Sequence, residues 1–402
     1  MPETRASEAG SAAAHDGGHR ARVRRSRKRR RGPVYARGTD GKPLTGPPAD
    51  FRDQRSWRPA LGGHLYGALD LGTNNCRLLV AAPRDHGFRV VDAFSRIVRL
   101  GEGVGANGRL SEAAMTRAIE ALRICGEKLA DRDVTRARLI ATEACRAAEN
   151  GEEFIARVKH ETGLALEIVS REAEARLAVS GCASLIDTQA SGAILFDIGG
   201  GSSELVWIDL AQPRDGRRRR MSDRIRTWMS LPVGVVNISE RHGGHHVTPE
   251  QFEAMVLEVA AMVADFPDGA ALDVAVAAGG VHMLGTSGTV TTLAGIHLGL
   301  PRYDRRRVDG TWLSGERVDS LIAELVTMDY AARVANPCIG RERADLVLAG
   351  CAILEAIRRR WRCQRLRVAD RGLREGVLVE MMSEDRVWRS RGAARASDRP
   401  HG

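Results

Sequence analysis

The stretch Phe196-Asp-Ile-Gly-Gly-Gly-Ser-Ser-Glu-Leu205 governs how the rest of the chain is read. An apolar run over 193–196 ends in Asp197. Three glycines, two serines and Glu204 follow, and a second apolar run then begins. This order reads as a β-hairpin with an acidic residue at its turn. Glycine has no Cβ, so backbone N–H groups there can approach an anion closely. The serines add hydroxyl donors. Such a turn suits the holding of a phosphate.

The pattern occurs twice. Leu69-Asp-Leu-Gly-Thr-Asn-Asn-Cys-Arg-Leu-Leu-Val80 has the same succession of apolar residue, Asp, apolar residue, Gly, small or polar residues and strand. Asp70 and Asp197 lie about one domain length apart. Two ordinary hairpins needing glycine only for their turns would account for either copy alone. Recurrence at domain spacing favours a duplicated unit, with two loops facing one cleft.

The 402 residues leave room for two or three domains. Seven cysteines, an odd number with no C-x-x-C pair, argue for free thiols in a reducing cytosol. They argue against a disulfide framework or a structural zinc site. No apolar run is long enough to span a membrane, and no apolar segment follows the basic N-terminus as a signal peptide would require. Nearly all of the formal net charge of +10 sits in residues 1–60, which lack periodic apolar pattern and read as a disordered basic tail. Its densest run, Arg20 to Arg31, could contact a polyanion such as polyphosphate or RNA, or be a solvated tail. Further arginine runs lie at 217–220, 305–307 and 358–360.

From about residue 61 to 190 the chain reads as three antiparallel strands, then helix, strand, helix, strand, helix. Residues 65–71 and 76–82 pair as a hairpin, and 88–99 supply the third strand. Ser111 caps a helix. Strand 137–141 leads into a helix from Glu143, broken near Gly151. Strand 165–169 precedes a helix over 172–185. Residues 191–383 repeat the opening with strands at 193–196, 202–210 and 225–230. A helix over 248–266 is inserted. A Gly/Thr-rich strand-to-helix junction follows at 285–292, where a helix N-terminus could receive an anion. Helices over 314–328 and 342–360 and a short strand at 366–368 follow, and residues 373–382 close the fold. Residues 384–402 read as a loose polar tail.

At this point the residues resemble a known family. Ala68-Leu-Asp-Leu-Gly-Thr-Asn-Asn75, Ala141-Thr-Glu-Ala-Cys-Arg146, Arg171-Glu-Ala-Glu-Ala-Arg-Leu177 and the 196–205 stretch are similar to motifs of the exopolyphosphatase / guanosine pentaphosphate phosphohydrolase family. So are Leu231-Pro-Val-Gly-Val-Val236, Gly285-Thr-Ser-Gly-Thr-Val-Thr-Thr-Leu-Ala294 and Asp370-Arg-Gly-Leu-Arg-Glu-Gly376. They stand in the family's order across about residues 64–383. The resemblance implies an α/β, actin-like (sugar-kinase-like) ATPase fold with two ribonuclease H-like domains around a cleft. It implies release of terminal phosphate from polyphosphate, from guanosine pentaphosphate, or from both, with Mg2+. It is to the short, two-domain form of the family, and it implies a cytoplasmic enzyme and a homodimer. The basic tail is not part of the shared pattern.

Hydrolysis of a phosphoanhydride requires bound phosphates, an aligned water and balanced charge. Gly72, Thr73, Asn74 and Asn75 from one turn, and Gly199, Gly200, Gly201 and Ser202 from the other, are the expected phosphate donors. Asp70 and Asp197, as anions, suit a metal or its waters better than a phosphate. The resemblance makes Glu143 the expected base, with Glu172 as helper or metal contact. A carboxylate beside phosphates would have its pKa raised by like charge. Arg146, one helical turn after Glu143, and Arg99 are expected to neutralise phosphate oxygens. A kinase of the same fold would carry the same turns, and a non-catalytic polyphosphate or alarmone sensor would bind without turnover. The 141–146 and 171–177 segments favour the phosphohydrolase. If the basic tail helps to grip substrate, deleting residues 1–60 will raise KM for long polyphosphate more than for short; equal effects in steady-state kinetics would exclude that role.

Overall fold

Alternating apolar residues, interrupted in each half by an aspartate and a tight turn, build two sheets. The computed structural model describes residues 64–85, 87–211 and 220–388. The readings made for residues 1–60, for 217–219 of one arginine run and for everything after 388 lie outside these.

β1 (Tyr66–Leu71), β2 (Asn75–Pro83) and β3 (Phe88–Ile97) form an antiparallel meander. β4 (Arg136–Ala141) pairs in parallel with β1, and β5 (Glu167–Ile168) in parallel with β4. The order is β3-β2-β1-β4-β5. β6 (Gly192–Ile198), β7 (Ser203–Asp209) and β8 (Ile225–Leu231) repeat the meander. β9 (Val281–Thr286) and β11 (Arg365–Ala369) repeat the parallel addition, and the short β10 (Trp312–Ser314) lies antiparallel on β11. That order is β10-β11-β9-β6-β7-β8. Without β10 the two sheets have the same topology, which is the doubled, actin-like α/β arrangement the resemblance implied.

Strand periodicity assigns each residue a face. On β1 and β2, Tyr66, Ala68, Leu79 and Ala81 pack on Leu177, Val377, Leu378 and Met382. On β6 and β7, Ala193, Leu195, Val206 and Ile208 pack on Ala175, Ala178, Val179 and Cys182. The linking helix, Arg171–Cys182, thus packs on both inner faces, and the closing helix, Leu373–Glu384, packs on the linking helix and the first sheet. The outer faces have their own cores, one including Leu69, Leu122 and Phe154, the other Phe196, Met255 and Ile353.

Residues 373–382, read from sequence as the end of the second domain, thus lie against the first sheet. The chain beyond them is not loose at once. Tyr66 donates to Asp385 Oδ2 at 2.7 Å, and Arg136 pairs with Glu384 and Asp385. Trp388 Nε1 donates to Arg84 O at 2.9 Å. The helix expected from residue 342 begins at Val347.

The linking and closing helices touch at the backbone. A Cβ on Gly181 would lie 1.9 Å from Gly372 O, and one on Gly376 would lie 2.0 Å from Leu177 O. Gly376→Ala is therefore expected to destabilise the protein by about 1–3 kcal/mol through overpacking. Gly126→Ala, in the helix Glu112–Asp131, would meet only Leu164 side-chain atoms at 3.7 Å or more, and should gain up to about 1 kcal/mol from helix propensity. Urea denaturation of the two variants distinguishes these signs.

Candidate active site

The same alternation that buries the inner faces carries Asp70 and Arg77 onto the inner face of one sheet, and Asp197 and Glu204 onto that of the other. Asp70 is opposite Arg77 in the β1–β2 register, and Asp197 is opposite Glu204 in β6–β7. All four stand at the strand ends beside the glycine turns, where the apolar packing stops.

The two turns close identically. Gly72 N–H donates to Asn75 O and Gly199 N–H to Ser202 O, both at 2.9 Å. Neighbouring segments then bind the turn carbonyls. Val98 and Arg99 N–H donate to Asn74 O, and Gly101 N–H to Thr73 O. Val235 and Val236 N–H donate to Gly199 O and Gly200 O, and Asn237 Nδ2 donates to Gly201 O. Among the described residues, no acceptor is hydrogen-bonded to the N–H groups of Thr73, Asn74, Gly200 or Gly201. The carbonyls are tied back and these amides remain as donors. The turns also pack on each other: a Cβ on Gly200 would lie 2.9 Å from Thr73 Cβ, and one on Gly201 would lie 2.8 Å from Thr73 Oγ1. The second turn thus needs glycine for this approach as well as for an anion.

Glu143 opens the short helix Glu143–Ala147 directly after β4 and is 7% exposed. Thr142 N–H donates to Leu71 O, which fixes that helix beside the first turn. A Cβ on Gly201 would sit 3.3 Å from Glu143 Cγ, so the carboxylate lies between the turns. Two arginines hold it. Arg146 Nε and Nη2 donate to Oε2 at 3.0 and 2.5 Å, and Arg171 Nη2 donates to Oε1 at 2.9 Å. Arg146 also donates to Glu174 Oε2 at 3.1 Å and to Val169 O at 2.6 Å.

Carboxylates crowd this point. Burial, then the charge of Asp70, pushes Asp197 up to about 6. Burial, then Asp197, pushes Glu204 up to about 7, against hydrogen bonds from Ser202 and Ser230. Glu174 is raised well above the usual range by burial and by Glu204. Asp70 is raised by burial, with Arg77 and Arg374 opposing. No group of three or more His, Cys, Asp or Glu among the described residues has the geometry of a metal site. Two carboxylates nevertheless fit Mg2+, which completes its shell with water and substrate oxygens rather than with a protein cage. A cation beside Asp70 and Asp197 would relieve the repulsion that raises Asp197.

Several expected roles change. Arg146 does not stand free for a phosphate; Glu143, Glu174 and Val169 O take its donors, so it positions Glu143. Arg99 pairs with Asp345 Oδ2 at 3.1 Å, and its backbone braces the first turn. Ser202 Oγ donates to Glu204 Oε1 at 2.8 Å rather than standing free for an anion. Glu172 is exposed, whereas Glu174, two residues on, faces the site through Arg146. Helix geometry explains the last change, because residues two apart point in different directions. Arg171 and Glu204 lie within the motifs and carry no expected role, yet both contribute to the site. The strand period would have placed Glu204 on the same face as Asp197.

The fold and this site define a two-lobed α/β protein with paired amide-lined turns around a buried carboxylate. The family model of the Ppx/GppA phosphatase family matches residues 79–385, and the chain belongs to that family. It is similar in structure to the Aquifex aeolicus family member, at 28% identity and a TM-score of 0.63, over 81% of this chain and 99% of that one. A Cytophaga hutchinsonii exopolyphosphatase shares the fold, at 23% identity and a TM-score of 0.68, over 80% of this chain and 98% of that one.

Glu204 gives a pH test. Its folded pKa lies above its ordinary value of 4.5, so stability is present below about pH 4.5 and lost as pH rises towards 7. The loss is on the order of 3 kcal/mol. In metal-free buffer, Glu204→Gln should be more stable than the natural protein at pH 8, with the gap closing by pH 4–5. Chemical denaturation at both pH values checks it; a pH-independent gap would exclude this crowding.

Proposed function

We propose that this protein hydrolyses a terminal phosphoanhydride, releasing orthophosphate from inorganic polyphosphate, from guanosine pentaphosphate, or from both. The observation that supports this best is the pair of turns in which the amides of Thr73, Asn74, Gly200 and Gly201 have no acceptor among the described residues, and between which Glu143 is fixed. Backbone N–H groups in such a concavity favour a multiply charged anion, and family membership supports the hydrolytic outcome over phosphate transfer to an organic acceptor.

In this reading the terminal phosphate rests against Thr73, Asn74, Gly200 and Gly201. Water attacks its phosphorus as the bridging P–O bond breaks. The bond pair stays with the shortened chain, and the water proton passes to Glu143. Glu143 Oε2 accepts from Arg146 and from Arg171 Nε, whereas among the described residues Oε1 accepts only from Arg171 Nη2, so Oε1 keeps a lone-pair direction for a water. Those two guanidiniums restrict the orientation of Glu143, which lowers the entropy cost of alignment. Glu174 holds Arg146 in turn. Asp70 and Asp197 would hold Mg2+, which would screen charge on the phosphate oxygens. Arg77, opposite Asp70, adds positive charge at the same point.

Glu143→Gln should reduce kcat for phosphate release by at least a thousandfold while tripolyphosphate binding stays within a few-fold of normal. Glu174→Gln should lower kcat by about ten- to a hundredfold, and Glu172→Gln should leave it nearly unchanged. Phosphate release and calorimetric binding by the purified chain with magnesium check all three. Near-normal kcat in Glu143→Gln would remove it as the base.

A further inference from the structure

We propose that Arg374 is a ligand for substrate phosphate and that Arg305 is the residue that keeps it available. The inference rests on the phosphohydrolase reading and adds a residue to that site.

Arg374 lies in the first turn of the closing helix, next to Glu375. The carboxylates at this junction are already matched. Glu375 Oε2 accepts from Gly372 N–H at 2.9 Å, and Oε1 accepts from Arg305 Nη2 at 2.6 Å. Asp370 Oδ2 accepts from Tyr303 at 2.7 Å and lies 3.5 Å from Arg305 Nε. Asp309 pairs with Arg371. Among the described residues, Arg374 makes no ion pair or hydrogen bond through its side chain, although it is half-buried and its charge is felt at both Asp70 and Glu375. Burial disfavours its charged form. A guanidinium so placed, without a hydrogen-bonded partner, carries a desolvation cost that the nearby charges of Glu375 and Asp70 offset only in part.

An oxyanion would repay it. A guanidinium presents a planar fork of donors that suits phosphate oxygens. The backbone of the same turn cannot serve instead, since Gly372 N–H is capped by Glu375. Arg374 and Glu375 are adjacent on the helix and point in different directions, so each feels the other's charge without a hydrogen bond between them. Arg305 and the Gly372 amide each bind one oxygen of Glu375 and fix its carboxylate, which makes no hydrogen bond to Arg374. Arg305 is thus a positioning residue, and Arg374 is the one that meets substrate.

The test uses the full chain with magnesium and measures both tripolyphosphate hydrolysis and tripolyphosphate binding by calorimetry. Arg374→Met should raise KM and Kd at least tenfold while kcat stays within about threefold, and Arg374→Lys should fall between it and the natural protein. Arg305→Met should raise KM in the same direction, and the double variant should be no worse than Arg374→Met alone. Arg371→Met, which breaks a neighbouring ion pair, should leave KM within twofold. Unchanged KM and Kd in Arg374→Met would overturn the proposal, as would an equal rise in Arg371→Met. If the natural chain binds tripolyphosphate but releases no phosphate, the hydrolytic reading fails. The Kd values then decide the role of Arg374 on their own.

Discussion

Carboxylates of like charge stand together, buried or half-buried, where two sheets end, and much of the site follows from holding them there. Asp70 and Asp197 occupy equivalent strand positions in duplicated hairpins. Because both strands present the same face inward, duplication alone brings two anions to one point. Glu204 and Glu174 add to the crowd. Asp197 and Glu204 are pushed up to about 6 and 7. Such a cluster is costly unless cations answer it. Arg77, Arg146, Arg171 and Arg374 are placed around it, and the proposed metal would complete the balance.

The arginines are sorted by what they touch. Arg146 binds Glu143, Glu174 and Val169 O, Arg171 binds Glu143, and together they fix Glu143. Arg305 and Arg371 hold the junction that starts the closing helix. The run 358–360 is matched to Asp319, Glu253, Glu355 and Asp273. It is a helix end in ion pairs rather than a basic surface. Arginine density in the sequence therefore says little about where a polyanion would bind within the described body.

Glycine does two different jobs here. In the second turn it lets backbone meet backbone across the two lobes, with Gly200 and Gly201 against Thr73. Between the linking and closing helices, Gly181 and Gly376 permit contact at the depth of a carbonyl oxygen. Both contacts join elements of the two lobes. No helix among the described residues is long and apolar enough to cross a membrane.

The sequence by itself determined the duplicated hairpins, the actin-like class and the motifs that carry Asp70, Glu143 and Asp197. Strand alternation and glycine turns are local features, set by steric limits within a few residues. What a side chain pairs with was not legible, because partners come from distant elements. Arg99 meets Asp345 across 246 positions, and Arg146 meets Glu174 across 28. Only the tertiary structure could decide that Arg146 pairs with Glu143 and Glu174, that Glu174 and not Glu172 turns towards Arg146, and that the last helix returns to the first sheet. Each depends on packing direction, which a linear pattern does not fix.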